Sequence, residues 1–402
     1  MLDESLLDDA DALARADHHA LLRGTAEAGA RVRTAARLAT EAGLTALRPD
    51  GRPRGLLVAG PGPVAGCAAD LLAAFSHGVV PVALLRPTGA SGAPPALRWA
   101  LPGWAGPLDL LLVVTPDGTE AGLTALVEQA YRRGCTVVAV SPAGAPLAET
   151  VSGTHGLTVP IAQGATPPGS AAEAGPGAVT DEAVGLLGPA ARPVVPGTLW
   201  ALLTPLLVLA DRLDLADVPP EAIEALATRL DDIAGRCGPA VPTYANPAKT
   251  LAVELAEALP LLWSEGPIAH AAARHFTTVL AAVPGRPAVA AELPEALTVH
   301  GALLAGAFAA TASEPDDFFR DRVEEPEPLR ARVLLLRDAT FTGAAGAAGD
   351  SAAPAARELA YAHDTGLSEL EPAEGSSPVQ AAADLLATTD FAAVYLALTA
   401  DA

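Results

Sequence analysis

Over residues 2–46, leucines and alanines recur at three- and four-residue spacing with charges between them, the period of amphipathic helix. The period then changes. Gly55–Gly60 (GLLVAG) is a short unbroken apolar run, the pattern of a strand buried on both faces. A Gly/Pro turn, Pro61–Pro63, leads into a predicted helix from about Val64 to Phe75. Apolar runs follow at Val80–Leu85, Leu108–Thr115 and Cys135–Val140, with a helical segment, Thr119–Arg133, between the last two. Strands that alternate with helices predict a parallel sheet covered by helices on both faces.

Residues 163–197 are rich in Gly, Pro and Ala with little periodicity, and read as a flexible connection or long loop. Helical patterns resume at Thr198–Leu213 and Pro220–Ile233, the second with Pro at its first turn. A second α/β unit begins near Asn246: helix Pro247–Ala258, strand Leu259–Trp263, helix Ile268–Leu280 and strand Val333–Arg337. Glu324–Pro328 reads as an exposed acidic turn and Thr342–Pro354 as a loop. Helices at Pro378–Ala387 and Phe391–Thr399 close the chain. The expected organisation is a helical N-terminus plus a first α/β unit over 1–165, a connection over 166–197, and linking helices plus a second unit over 198–402. The two units are of similar size, without an obvious sequence repeat.

Composition narrows the function classes. Half of the 402 residues are apolar, enough for a sizeable core, while only 4% are aromatic, so Ala, Leu and Val carry the packing. The net charge of −22 argues against nucleic acid and against an anionic membrane surface as partners. Three scattered cysteines (Cys67, Cys135, Cys237) form no CxxC pair and fit a reduced compartment. The opening MLDESLLDD lacks a basic-then-apolar signal pattern, and the most apolar stretch, Leu199–Leu209, is about half a membrane span and contains Pro205. A cytoplasmic protein is expected.

Three segments could carry chemistry. Val113–Glu120 (VVTPDGTE) ends a strand and opens a helix, where free amides attract anions. Thr115 and Thr119 offer hydroxyls and Gly118 lets the backbone come close; the bland alternative is a capped turn with Asp117 or Thr119 as N-cap. Gly60–Gly66 (GPGPVAG) also joins strand to helix, but its prolines remove amides that a dinucleotide fingerprint needs, and GK[ST] is missing. Glu292–His300 (ELPEALTVH) places Glu292, Glu295 and His300 within nine residues, a possible acid–base set; the alternative is an acidic turn before a helix with a structural histidine. His18-His19 lie on a presumed surface helix, and His270 and His275 are five apart. No HExxH, HxH or GxSxG spacing occurs, so no metal site and no nucleophile elbow are expected.

The order of these pieces resembles the bifunctional phosphoglucose/phosphomannose isomerase family, built from two sugar-isomerase (SIS) domains in tandem. The best-matching stretches are Asn246-Pro247-Ala248-Lys249-Thr250-Leu251-Ala252, the strand Leu259–Trp263, and Asp390–Leu398 (DFAAVYLAL). The resemblance implies two α/β/α three-layer sandwiches with parallel sheets, usually assembled as a homodimer. It implies interconversion of glucose, mannose and fructose 6-phosphates without metal or other cofactor, by a Glu that moves a proton between C1 and C2 and a His that helps open the ring. On this chain it points to Glu292, Glu295 and His300 for catalysis and to Thr115, Gly118 and Thr119 for phosphate.

The chain departs from the family where the chemistry lies. The Ser-x-Ser-Gly-x-Thr phosphate loop is replaced by Val114, Pro116, Asp117 and Thr119, and the Ser of the first Gly-rich turn by Val64. The stretch that should hold the base reads Ala281-Ala282-Val283. Aligned without gaps, Thr298 takes the His position; a two-residue insertion gives it to His300. Three readings follow: a divergent hexose-phosphate isomerase, a catalytically degraded SIS-fold protein that serves as sugar-phosphate sensor or accessory subunit, or a purely structural partner with no ligand.

Overall fold

The computed structural model describes residues 4–47, 51–89, 96–162, 196–308, 330–338 and 351–400. The N-terminal helical pattern is broken into α1 (Glu4–Leu7), α2 (Ala10–Ala16), α3 (Leu21–Ala26) and α4 (Ala28–Glu41). Two aspartates make the breaks. Asp9 caps α2 by accepting from Ala12 N, and Asp17 accepts from Leu21 N at 2.6 Å and Leu22 N at 2.9 Å. Such short side chains offer the backbone bonds that compete with a continuing helix. His18-His19 therefore sit in a turn and not on a helix.

The first α/β unit runs β1 (Gly55–Ala59), α5 (Gly62–Phe75), β2 (Val82–Leu85), β3 (Asp109–Val114), α6 (Ala121–Arg132), β4 (Thr136–Pro142), α7 (Pro146–Gly153) and β5 (Leu157–Ile161). All pairings are parallel, in the order β2-β1-β3-β4-β5. After α8 (Thr198–Arg212) and α9 (Pro220–Arg236) come α10 (Pro247–Leu255), β6 (Ala258–Glu265), α11 (Pro267–Ala282), β7 (Val289–Glu292), α12 (Glu295–Ala305), β8 (Arg330–Arg337), α13 (Ala353–Ala362), β9 (Gly366–Leu370) and α14 (Pro378–Ala400). The second sheet is also parallel, in the order β7-β6-β8-β9. It repeats the first four positions of the first sheet and has no counterpart of β5 among the described residues.

Side-chain alternation along the strands sorts the core into layers. One face of the first sheet (Leu57, Leu111, Val113, Val137) packs against α6 and α7 through Leu123, Leu126 and Leu147. One face of the second (Leu261, Trp263, Val333, Leu335) packs against α12 and α13. The other two faces, with Val58, Leu112 and Val140 on one and Leu262, Leu334 and Leu336 on the other, belong to a single core with α4, α5, α8, α9, α10, α11 and α14. The architecture is thus two α/β/α sandwiches that share their inner helical layer.

The two terminal helices expected from the sequence are one helix, α14. The polar stretch Thr388-Thr389-Asp390 suggests a break, but the polar groups of its last two residues are satisfied inside the core. Thr389 Oγ1 donates to Leu385 O at 2.8 Å, and Asp390 meets His275 of α11 at 2.9 Å. Pro378–Thr399 is long and apolar enough to cross a bilayer, yet 89% of that window is buried inside the protein. The expected connection 166–197, save its last two residues, lies outside the described residues, as do the acidic turn Glu324–Pro328 and most of the loop Thr342–Pro354.

Candidate functional site

In parallel sheets, loops that follow the strand carboxyl ends are where ligands collect. The loop from β3 to α6 is closed by the protein itself. Thr115 is fully buried; its Oγ1 donates to the Glu120 carboxylate at 2.8 Å and accepts from Asp117 N at 3.2 Å and Gly118 N at 3.1 Å. The Glu120 carboxylate makes no side-chain cap bond to the first amides of α6. Glu120 is itself the N-cap residue of α6, in place of Asp117 or Thr119, and is fully buried. Burial raises its pKa, helped by the nearby charge of Asp117, while the backbone amides and the Thr115 hydroxyl work the other way. Gly118 adopts φ +68°, and a Cβ there would come within 2.6 Å of Ala145, so the loop is held tightly against the β4–α7 turn. Of the three residues expected to hold phosphate, Thr115 and Gly118 are buried in this network and Thr119 is exposed.

The same position in the second unit, the loop from β8 to α13, is also met by a carboxylate. Glu265, at the end of neighbouring β6, accepts from Ala352 N at 2.7 Å, from Ser351 Oγ at 2.9 Å and from Arg337 Nε at 3.1 Å. Burial works to raise its pKa, but these donors hold it below the ordinary glutamate value. In each half a glutamate carboxylate thus accepts hydrogen bonds from the loop that follows the third chain-order strand, from Thr115 in the first and from Ser351 and Ala352 in the second. The clue for Glu120 lies in the sequence, as a carboxylate five residues after Thr115. Nothing local predicts Glu265, because it comes from a different strand.

Glu292, Glu295 and His300 are not joined to one another by any hydrogen bond or ion pair. His300 is buried, and its Nδ1 accepts the indole N–H of Trp263 at 2.7 Å. An indole only donates, so Nδ1 carries no proton and the ring is neutral; burial pushes its pKa down. Glu295 lies in the first turn of α12 and is exposed. Glu292 ends β7, with Oε1 at 3.0 Å from His270 Nδ1 on α11.

That pair belongs to a charged cluster between the two units. Arg274 of α11 donates to Asp70 of α5 at 3.1 Å. Burial raises the Asp70 pKa, countered by Arg274, His270 and Arg86, while Glu292 adds to the rise. Deeper in the same helix layer, His275 of α11 pairs with Asp390 of α14 at 2.9 Å, both nearly inaccessible. Burial opposes the charge on His275, yet the Asp390 carboxylate, with Cys67 of α5 beside it, lifts its pKa well above the ordinary value.

The motif Asn246–Ala252 serves the scaffold. Asn246 caps α10 by accepting from Ala248 N and Lys249 N, and donates to Gly238 O at 3.1 Å. Lys249, the single lysine of the chain, is fully buried; its Nζ donates to Pro239 O and Val241 O at 2.8 Å each and lies 5.5 Å from the Tyr395 ring centroid. Tyr395 OH donates to Cys237 O at 2.7 Å. Three side chains of α10 and α14 thereby capture four carbonyls past the end of α9. Among the described residues no cluster of His, Cys, Asp and Glu suits a metal ion.

Residues 244–402 match the family model of the bacterial phospho-glucose isomerase C-terminal SIS domain. A search of curated proteins finds no match. Among solved structures, a hypothetical protein of Thermus thermophilus superposes with a TM-score of 0.60 at 14% identity, covering 98% of this chain and 89% of that one. A putative phosphosugar isomerase of Silicibacter pomeroyi gives 0.56 at 16% identity over 94% and 97%. The C-terminal domain of glucosamine-fructose-6-phosphate aminotransferase from Francisella tularensis gives 0.52 at 11% over 95% and 96%. These likenesses establish the tandem SIS fold across both units. Residues 244–402 thus match an SIS domain of the bacterial phospho-glucose isomerase type, and the tandem SIS fold extends over both units of the chain.

Proposed function

We propose that this protein is an accessory or sensing member of hexose-phosphate metabolism that keeps the SIS scaffold and does not carry out aldose–ketose isomerisation. One observation carries the reading: the donors at both strand-to-helix loops are already spent inside the protein, those of Ser351, Ala352 and Arg337 on the Glu265 carboxylate, and the Asp117 and Gly118 amides on Thr115, whose hydroxyl donates to the Glu120 carboxylate. A phosphate dianion placed there would lose those donors and meet a carboxylate. Recognition of a sugar phosphate falls instead to the cationic groups of the inter-unit cluster, Arg86, His270 and Arg274. The protein is proposed to work in the cytoplasm as a homodimer, without metal or cofactor.

Coupled assays with fructose, mannose and glucose 6-phosphates test this. No turnover above background is expected, together with a rise in melting temperature on adding the ligand that binds, since a ligand specific to the folded state stabilises it. Turnover would overturn the reading.

The isomerase reading is favoured by a specific pair, Glu292 and His270 at 3.0 Å, beside Arg86 and Arg274. Here Glu292, or Glu295 on the following turn, would be the base that shuttles the proton between C1 and C2, with His300 or His270 at ring opening and Thr115, Gly118 and Thr119 at the phosphate. Activity abolished by Glu292→Gln or Glu295→Gln in a folded protein would establish it.

A further inference from the structure

The second sheet ends at β9, where the first sheet continues to a fifth strand. A cavity of about 470 Å³ lies against this edge. Leu367, Ser368, Glu369 and Leu370 all border it; consecutive strand residues point to opposite faces, so the cavity wraps the open edge of β9 and reaches inward to Leu334 and Thr388. The peptide groups on that edge have no neighbouring strand among the described residues, so they present donors and acceptors in a row.

Three side chains say what the cavity suits. Tyr244, at its rim, is 88% exposed, a large flat amphipathic surface with a hydroxyl. Thr388 is 5% exposed and its hydroxyl makes no hydrogen bond among the described residues, although Thr389 beside it bonds back to its own helix. That hydroxyl is not sealed from solvent; it opens to the cavity, where water or a ligand hydroxyl reaches it. Glu254 and Glu369 line the wall, each neutralised by an arginine: Arg332 to Glu254 at 3.0 Å and Arg357 to Glu369 at 2.6 Å. Their remaining lone pairs accept from hydroxyls without attracting a cation strongly. No Lys, Arg or His stands in the described lining, so nothing there rewards a phosphate.

We infer that this cavity binds an uncharged polyhydroxylated ligand of hexose size, one face on Tyr244 and its hydroxyls shared among Thr388, Glu254, Glu369 and the β9 edge. The volume suits a small-molecule site, and the site is separate from the strand ends at which the family chemistry is sought.

Titration of the full-length chain with D-mannose and with D-fructose, followed by ligand-observed NMR and calorimetry, tests the inference. Saturable binding in the millimolar range is expected, as befits a ligand of this size. Tyr244→Ala, on an exposed side chain, and Thr388→Val, which keeps the shape, should each weaken it by on the order of ten-fold. Mannose 6-phosphate should bind here no tighter than mannose, which separates this site from any sugar-phosphate site elsewhere. Absence of saturation by both sugars, or an affinity unchanged in either variant, overturns the inference whatever the outcome of the isomerase assays.

Discussion

At the scale of single residues, Glu120 decides what the β3–α6 loop can do. Its carboxylate accepts the Thr115 hydroxyl inside the loop, without exposure to water and without capping the α6 amides. Removing it should therefore have two opposite effects. In Glu120→Ala, the buried Thr115 hydroxyl loses its acceptor, which should cost about 1–3 kcal/mol in urea unfolding. The same variant removes the carboxylate from the loop, so inorganic phosphate should raise its melting temperature and leave that of the parent unchanged. A variant that ignores phosphate would show that the loop geometry, and not the carboxylate, excludes anions. The pH dependence has a definite sign. The folded-state pKa of Glu120 is raised by burial, so its neutral form fits the fold best. Its contribution is present below the unfolded value and is lost as pH rises through the folded one, so Glu120→Gln should flatten a decline in stability above about pH 4.5.

At the scale of elements, much was legible in periodicity and some was not. The strands β1, β3, β4, β6 and β8 carry unbroken apolar runs because both their faces are buried, and those runs read directly from the sequence. Three of the four edge strands are different, β2 with its run at Val80–Leu85 being the exception. β5, β7 and β9 are short and half-exposed, so Leu157–Ile161, Val289–Glu292 and Gly366–Leu370 show no such run. They are strands because a neighbour supplies the register, which is tertiary information. The candidate site was legible in part for the same reason. The expectation of a strand-to-helix turn at 113–120 holds, while the pairing of Glu292 with His270 and the seat of Glu265 join residues far apart in the chain. The motif around Lys249 was readable as a family mark but not as a carbonyl clamp. Its role gives an expected outcome: Lys249→Met strands two buried carbonyls and should cost about 2–4 kcal/mol, whereas Tyr395→Phe, which frees one, should cost about 1 kcal/mol, both by urea unfolding. Equal effects would argue that the clamp acts as a unit through the Tyr395 ring.

At the scale of the whole molecule, the shared helical layer sets how the protein comes apart. Helices α5 from the first unit and α11 and α14 from the second belong to one continuous core, so neither sheet can expose its inner face without disturbing the other. Calorimetry should show one cooperative transition; two resolved transitions would mean that each sandwich holds its own helices. The His275–Asp390 pair sits inside this layer, with Cys67 of α5 against it, and offers a local probe of the same coupling. Replacing one partner leaves the other buried and uncompensated, so His275→Leu or Asp390→Leu should each cost about 3–5 kcal/mol. The double variant, with two apolar side chains in a dry site, should recover most of that loss. The folded-state pKa of His275 is raised, so its contribution is fully present below the unfolded histidine value of about 6.5 and is lost as pH rises toward the folded value. Denaturation midpoints measured from about pH 6 to about pH 9 should fall in the parent and stay flatter in the double variant. If instead the single and double variants lose stability additively and the parent shows no decline, the two side chains fill space in the core without forming a charged pair, and the helix layer is held by packing alone.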